Sequence, residues 1–419
     1  MKSRFLFFAC IISFVFTLFA EETIQQRIKK FAEEEYWTRP APRQEITRAE
    51  LIQALEKSRC FYLNSQKEDG SFIYSIDLET GKVSKKDNQV RQAGALWGLA
   101  CLNRDRFNEP TRQAVMKGLD FFEKNTIPLK SGLRCTVYPG ESQISTGMVA
   151  LYCLALTDFL RGQDKYLSDD AKAKYRKLLE THLAYLRSME LEDGSWAYVY
   201  DVLGDIKEPQ GSPYYDGEAL LAYCKAAKYL GYTSLLPRIN EALPKLVAKY
   251  TADIWENPAI TDDDSKGFYQ WCCMAMDEYV SAGWAPHREL AVDTAFAYSY
   301  WMIHKTQLTM RTGNTAYAIE GIMAAYNIAK TTGNETAQKL FRETALDVMG
   351  TLMQWQFDGP FMEKNPVLSK LKLSDAQRES YLGGITSSLH DTTVRIDIQQ
   401  HQTHAMLMLY ALIFSSAEN

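Results

Sequence analysis

The side chains best suited to chemistry lie close together near the carboxyl end of the chain, between Arg395 and His404. His401 and His404 stand three positions apart, so they share one face of a helix. With Asp397 or another carboxylate to orient it, such an imidazole can act as a general acid or base. Two other interpretations stay open. One is a metal pair whose third ligand is not visible, and the other is a set of hydrogen bonds that fix the last helix to its loops.

A second cluster, Tyr214-Tyr215-Asp216-Gly217-Glu218, occupies a predicted helix start. Tyr215 is a candidate acid or base, and Asp216 and Glu218 are candidate carboxylates. Because the two carboxylates are two positions apart, they do not share a helix face, and only one of them should reach a common site. Asp is also frequent as a helix N-cap, so capping alone is the competing interpretation of Asp216.

Arginines recur near predicted helix starts, at Arg91, Arg311 and Arg395, with Arg134 in a preceding loop. Guanidinium groups bind carboxylates through two parallel hydrogen bonds, so a site that collects them would suit an acidic ligand. The candidate catalytic residues are His401, Tyr215, Asp216 and Asp397. The candidate substrate-binding residues are Arg91, Arg395, Glu218, Asn314, His404 and Gln400.

The elements that must position these residues are helices, because apolar residues recur at helical spacing along almost the whole chain. One helix of each predicted pair is polar on one face, as over 170–186. The other is apolar all round, as over 148–160, and must be buried. Six buried helices inside six amphipathic ones predict an all-α fold, an α/α toroid with an inner and an outer layer. The predicted helices cover residues 48–65, 90–103, 110–125, 145–161, 169–189, 216–230, 235–250, 267–283, 288–305, 314–331, 335–355 and 399–414.

A repeated turn follows two of the outer helices. Gln66–Phe72 and Glu190–Trp196 both end in Asp-Gly-Ser and an aromatic residue, and Asp358–Phe361 is a weaker third copy. The longest non-helical stretches precede inner helices, and several alternate in polarity as short β-hairpins do. Since long loops on a rigid scaffold carry function, the amino-terminal ends of the inner helices should surround one common bowl.

Six helical hairpins joined by such turns resemble the α/α toroid superfamilies over about residues 48–414. These include the six-hairpin glycosidases, the toroidal polysaccharide lyases and uronyl epimerases, and the terpenoid cyclase and prenyltransferase group. The resemblance does not single out one family. Gln66–Phe72 is similar to the Q-W repeat of squalene-type cyclases, where that repeat is structural, and the cyclases' D-x-D-D acid motif is absent from this sequence.

The first residues have the form of an export signal, with a basic start and an apolar stretch that ends at Ala20. We therefore expect a signal peptide over 1–20, a wrapping segment over 21–47 and a single toroid domain over 48–419. The net charge of −5 and the pI of about 5.8 argue against nucleic acid as a partner. No stable membrane insertion is expected after cleavage, and no metal or cofactor is predicted.

These observations favour an exported enzyme that acts on an oligosaccharide or polysaccharide, by hydrolysis or by the acid–base chemistry of lyases and epimerases. Hydrolysis would need two carboxylates that flank the bond. The mixture of Arg, Tyr and His favours a uronate-containing glycan. Two alternatives stay open, a toroid that binds a glycan or peptide without catalysis and an enzyme similar to the terpenoid cyclases and prenyltransferases.

Overall fold

The computed structural model describes residues 23–33, 45–163, 165–257 and 262–415, and these residues form fourteen α-helices and seven short strands. The predicted signal peptide therefore lies outside the described residues. The helices are α1 Ile24–Ala32, α2 Arg48–Ser65, α3 Gln89–Asp105, α4 Glu109–Lys124, α5 Thr146–Gln163, α6 Asp169–Ser188, α7 Pro213–Leu230, α8 Leu236–Glu256, α9 Asp263–Ser281, α10 Arg288–Tyr300, α11 Ala316–Thr332, α12 Glu335–Leu352, α13 Asp375–Tyr381 and α14 Ile396–Leu409. The strands are β1 Ser75–Asp77, β2 Thr126–Pro128, β3 Arg134–Thr136, β4 Gln143–Ser145, β5 Val199–Asp201, β6 Ile206–Lys207 and β7 Thr393–Arg395.

Six helices form a closed inner ring. Helices α3, α5, α7, α9, α11 and α14 pack against one another in that order, and α14 packs back on α3. Each is preceded in the chain by an outer helix, namely α2, α4, α6, α8, α10 or α12. The predicted fold class, an α/α toroid of six helical hairpins, is confirmed.

The two layers follow from where the apolar residues stand in each helix. Every residue of α5 from Thr146 to Leu160 is buried, as expected of a helix surrounded by protein. In the outer helix α6 the buried residues, among them Tyr175, Leu179 and Leu186, recur every three or four positions. This stripe packs inward and leaves the charged face of α6 to solvent.

The turns Gln66–Phe72 and Glu190–Trp196 have the same structure. The first and last residues of each form an antiparallel bridge, and the glycines adopt left-handed conformations, with φ of 100° at Gly70 and 92° at Gly194. The aromatic residue's backbone N–H is bound by a side chain of the following inner helix. Phe72 donates to Oε1 of Gln92 at 2.8 Å, and Trp196 donates to Oδ1 of Asp216 at 2.8 Å.

The third copy of this turn does not lie at Asp358–Phe361, so that prediction is wrong. The equivalent bridge joins Gln356 to Ile385, and the left-handed glycine is Gly383, with φ of 82°. The N–H of Ile385 donates to Oε1 of Gln399 at 3.0 Å, as in the other two turns. Residues 358–382 are inserted within the turn, so its two halves are far apart in the sequence.

The short strands tie the long loops together at the amino-terminal ends of the inner helices. Strands β2 and β3 form a hairpin, β4, β5 and β6 form a three-stranded sheet, and β1 pairs with β7. In the last pair Ser75 lies opposite Arg395, so the first long loop holds the segment that leads directly into α14. Helix α1 lies against α8 and α10. The segment boundaries that the sequence analysis placed at residues 20 and 47 stay a prediction. No helix among the described residues is long and apolar enough to cross a membrane.

Candidate active site

The amino-terminal ends of the inner helices surround a cavity of about 520 Å³, which we call the upper cavity. The predicted common bowl is therefore present. Eight of the ten candidate residues line it, and Asp216 and His404 do not. The candidates in its wall are Arg91, Tyr215, Glu218, Asn314, Arg395, Asp397, Gln400 and His401.

His401 is held by a carboxylate that the sequence analysis missed. Its Nδ1 lies 2.8 Å from Oε2 of Glu320, a wholly buried residue of α11. Burial of the imidazole opposes its protonation, but the charges of Glu320 and then Asp397 outweigh burial and raise the pKa of His401 above 6.5. When Nδ1–H donates to Glu320, Nε2 is the nitrogen left to act as a base on a molecule in the cavity.

Glu320 stays ionised although it is buried. Burial alone would raise the pKa of this carboxyl, but His401 and His404 bring it below the ordinary value. Glu320 is the one acidic residue of α11, a helix that is otherwise almost entirely apolar. That isolated carboxylate was a signal in the sequence, since a charge on an all-round apolar helix needs a buried partner.

His404 contacts the other oxygen of the same carboxylate, with Nδ1 2.7 Å from Oε1 of Glu320. Its ring packs against Trp97 at a centroid distance of 4.5 Å. His404 lines a second cavity of about 250 Å³, which we call the lower cavity because its wall is formed by the carboxyl-terminal halves of the inner helices. The structure therefore does not bring His404 to the predicted substrate site.

Two arginines flank one carboxylate at the edge of the upper cavity. Arg395 donates to both oxygens of Asp397, at 2.6 and 2.9 Å, and Nε of Arg91 lies 3.2 Å from Asp397. Burial would raise the pKa of Asp397, but Arg395 and then Arg91 hold it below the ordinary value. Asp397 is thus an ionised partner of the arginines, and the trio has one positive charge in excess to offer an acidic ligand.

Glu218 differs from Asp397 in that its environment favours the protonated carboxylic acid. It is 3% exposed, its Oε2 has no hydrogen-bond partner, and burial raises its pKa well above the ordinary value. Burial therefore favours the protonated form of this side chain, a carboxylic acid that can donate a proton. Burial and the nearby Glu218 also raise the pKa of Tyr215, which keeps that phenol neutral.

Gly147 explains how Tyr215 and Glu218 both fit at this place. A Cβ atom on Gly147 would lie 2.3 Å from the Tyr215 ring and 2.5 Å from Oε2 of Glu218. Gly147 is in the first turn of α5, so its missing side chain lets α7 present both residues to the cavity. Tyr215 is further fixed by stacking on Tyr198 at 5.0 Å.

Two more buried polar atoms in the cavity wall have no partner, Nε2 of Gln400 and Nε1 of Trp271. Buried donors in native proteins are almost always hydrogen-bonded. With Oε2 of Glu218, these are three buried polar atoms of the cavity wall that lack a hydrogen-bond partner within the protein. Within the described ranges, no group of three or more His, Cys, Asp or Glu side chains is arranged to hold a metal ion.

Asp216 performs a structural task outside the cavity. Its Oδ1 accepts the N–H of Trp196, and its Oδ2 accepts the hydroxyl of Tyr250 at 2.5 Å. Burial raises the pKa of Asp216 to about 6, against the effect of these two donors.

Asn314 does line the cavity, but its amide also donates to Oε1 of Gln402 at 2.9 Å. The predicted arginines Arg311 and Arg134 are not part of the cavity wall.

No family model and no curated protein matches the chain, but solved structures resemble it along most of its length. A sugar epimerase from a ruminal bacterium is 12% identical, with a TM-score of 0.60 over 87% of this chain and 99% of that one. A cellobiose 2-epimerase from Spirochaeta thermophila is 14% identical, with a TM-score of 0.58 over 88% and 97%. An α-mannanase of Bacteroides thetaiotaomicron is 11% identical, with a TM-score of 0.55 over 88% and 97%. At these identities the similarity shows the fold alone, which is an α/α toroid.

Proposed function

We propose that the protein is a carbohydrate-active enzyme that binds an acidic sugar unit in the upper cavity and moves a proton at a ring carbon. The observation that carries this proposal is a pair of groups of opposite character in one cavity wall. His401, backed by ionised Glu320, is suited to accept a proton, and neutral Glu218 is suited to donate one. Pairs of titratable groups whose environments separate their pKa values are typical of acid–base catalysis.

Arg91 and Arg395 are the proposed anchors for the sugar carboxylate. Both are about one-third exposed at the cavity, and Asp397 neutralises only one of their two charges. Trp271 and Gln400 would donate hydrogen bonds to hydroxyl groups of the same unit. These contacts would select a uronate over a neutral sugar, because only a carboxylate matches the excess positive charge.

In the proposed reaction, Nε2 of His401 takes the proton from the carbon next to the sugar carboxylate. Glu320 stabilises the imidazolium that forms, and Arg395 stabilises the negative charge that develops on the carboxylate. Glu218 then gives its proton either to the departing glycosidic oxygen, which is elimination, or to the opposite face of the same carbon, which is epimerisation. Tyr215, next to Glu218, is the second candidate donor.

Hydrolysis is the second candidate reaction, since the mannanase among the structural neighbours is a glycoside hydrolase. Glu218 would be the acid and Asp397 the second carboxylate. This assignment is less well supported because Asp397 is bound by two arginines. A binding protein without catalysis would use the same cavity, whereas the charged wall fits a terpenoid substrate poorly.

The test is incubation of the protein with a panel of neutral and acidic polysaccharides and oligosaccharides. New reducing ends together with ultraviolet-absorbing unsaturated products indicate elimination, and reducing ends alone indicate hydrolysis. A changed sugar configuration, seen by NMR, indicates epimerisation. We expect one of the proton-transfer outcomes on an acidic substrate. Binding of a glycan with no turnover on any member of the panel would overturn the proposal.

His401→Asn and His390→Asn are the matched variants for this assay. His401→Asn removes the proposed base and should lower kcat by about 100- to 10,000-fold. His390 is exposed and lies outside the cavity, so His390→Asn should keep wild-type activity. Equal effects of the two substitutions would contradict the role of His401.

We also propose that the mature protein is exported. The support is the amino-terminal sequence described above, which places the cleavage after Ala20. Amino-terminal sequencing of the protein recovered from outside the cytoplasm should begin at Glu21. Recovery only from the cytoplasm, with Met1 retained, would contradict this.

A further inference from the structure

His404 lies outside the upper cavity, but it contacts the carboxylate that holds His401. Oε2 of Glu320 receives His401 at 2.8 Å, and Oε1 receives His404 at 2.7 Å. Glu320 is wholly buried, so removal of a donor leaves a carboxylate oxygen without a partner inside the protein. A buried carboxylate whose two oxygens have these two imidazole donors depends on both of them for its ionised state.

The position of His404 is itself fixed by contacts on the side of the lower cavity. Its ring packs against Trp97, and Nε1 of Trp97 donates to Asp158 at 2.8 Å. Asp158 is wholly buried and is bound by Arg104 at 2.5 Å and by Lys225 at 2.6 Å. A continuous set of contacts therefore runs from the ion cluster at the lower cavity to the imidazole in the upper cavity.

We propose that His404 is a positioning residue, which donates its Nδ1–H to Glu320 and thereby holds the carboxylate so that its other oxygen fixes the orientation and tautomer of His401. This inference adds a role that acts through Glu320 and does not touch the substrate. It rests on the proposed function only where it concerns turnover, because the hydrogen-bond geometry exists with or without a substrate.

The proposal predicts the direction in which the titration of the Glu320–His401 pair shifts when the His404 donor is removed. Loss of the His404 N–H destabilises the state in which Glu320 is charged and His401 neutral more than it destabilises the protonated pair. The pair should therefore bind its proton more tightly and titrate at a higher pH, whichever of the two groups carries that proton. A hydrogen bond to a charged group is strong enough to shift the titration by about one pH unit.

The groups that face this pair from other elements do not change in the test. They are Arg395 of β7, Arg91 of α3, Tyr62 of α2, Tyr214, Tyr215 and Glu218 of α7, Asp263 and Lys266 of α9, and Tyr317 of α11, together with Asp397 on the helix of His401 itself. A difference between wild type and a His404 variant therefore reports the lost hydrogen bond.

The experiment is an NMR titration of the histidine ring signals in the full-length protein, with the His401 signal assigned through His401→Asn. His404→Phe keeps a ring against Trp97 and removes the donor, and we expect the His401 titration to move up by about one pH unit. His404→Gln supplies an amide donor at similar reach, and its titration should lie closer to that of wild type. If the Phe ring prevents folding, as judged by circular dichroism, His404→Met provides the same donor deletion.

An unchanged or lowered titration in the donor-deletion variant would overturn the proposal. So would an equal shift in His404→Gln, because a packing defect alone would affect both variants. The acidic limb of kcat/KM against pH should move with the NMR titration once a substrate is known. If no substrate is turned over, the proposed function fails, while the NMR result still decides the role of His404.

Discussion

The two cavities of this toroid are both polar and concave, but they differ in whether their polar groups have partners within the protein. Around the lower cavity most charges have a partner within the protein: Arg104 and Lys225 pair with Asp158, Glu278 pairs with Lys228 at 2.7 Å, and Asp277 accepts a hydrogen bond from Asn327 at 2.8 Å. Among the described residues, no polar side chain of the lower wall has a buried nitrogen or oxygen without a partner. In the upper cavity, three buried polar atoms lack a partner.

This difference separates a structural network from a binding site. A paired ion cluster is complete without any other molecule, and it closes the barrel where the inner helices end. Unpartnered buried donors and an unpaired carboxylic acid are costly in the folded protein, and a bound polar molecule would satisfy them. The comparison therefore supports the proposal that the upper cavity serves recognition and chemistry while the lower one serves stability.

Asp158→Asn should have the largest effect, and that effect should be on stability. The substitution leaves Arg104 and Lys225 without a buried carboxylate, and the loss of one member of such a cluster costs about 3–5 kcal/mol. Urea unfolding at neutral pH measures this change in the free energy of unfolding. Ligand binding to the remaining folded molecules should be close to wild type, and a variant as stable as wild type would break the comparison.

Gly147→Ala should damage the upper cavity with a smaller cost in stability. The new Cβ would lie 2.3 Å from the Tyr215 ring, and such overpacking costs about 1–3 kcal/mol. Because Tyr215 and Glu218 must move, we expect the affinity for a cavity ligand to fall more than tenfold. Calorimetric titration with the best ligand of the panel measures this loss.

Gly94→Ala is the matched control for Gly147→Ala. Gly94 also lines the upper cavity, and its Cβ would meet its nearest neighbour, Oε1 of Gln400, at 3.4 Å, which is an ordinary contact. Both variants therefore add a methyl group against residues of the same wall, but only Gly147→Ala forces a neighbour to move. The gain in helix propensity should leave this variant as stable as wild type or more stable by less than about 1 kcal/mol. If both alanine variants lose ligand affinity equally, Gly147 has no special role in placing Tyr215.

Glu218→Gln should have the smallest effect on the free energy of unfolding, and that effect should depend on pH. Burial raises the pKa of Glu218 above the ordinary value of 4.5, so the folded state keeps its proton where the unfolded state loses it. The stability that this proton contributes is present below the unfolded pKa and is lost as the pH rises through the folded pKa. The variant should therefore match wild type near pH 4 and become progressively more stable than wild type as the pH rises.

Urea unfolding of Glu218→Gln and wild type from pH 4 to pH 8 checks this sign. A stability difference that stays constant across the range would mean that Glu218 ionises normally in the folded protein. The proposed acid would then lack its proton at neutral pH, and its place in the mechanism would have to be given up.

Much of the fold could be predicted from the sequence because burial determines it. The inner helix α5 was predicted over 145–161 and lies at Thr146–Gln163, since a helix with apolar residues on all sides has no stable alternative. The start of the last inner helix was predicted three residues late. There the strand β7 leads straight into α14 at Ile396, and no loop residues mark the boundary.

The errors at the site have a common physical cause, which is that spacing along the chain does not show which way a side chain points. Of the two neighbouring carboxylates, the sequence analysis gave the catalytic role to Asp216, whereas the structure directs Glu218 to the cavity. Glu320 was missed because it lies inside α11, in its second turn, and far in sequence from the histidines that it binds. The third turn was misplaced because an insertion separates Gln356 from Gly383.

The removal of a single carbon-bound proton tests the central claim most directly. An acidic oligosaccharide from the panel is incubated with the protein in D₂O, and NMR follows the proton on the carbon next to the carboxylate. The account predicts that the wild-type protein removes this proton, leaving deuterium in its place after epimerisation or a carbon–carbon double bond after elimination, and that His401→Asn does so at least about 100-fold more slowly with ligand affinity retained. Loss of this proton at the wild-type rate in His401→Asn, or cleavage of the glycan with the proton retained, would contradict it.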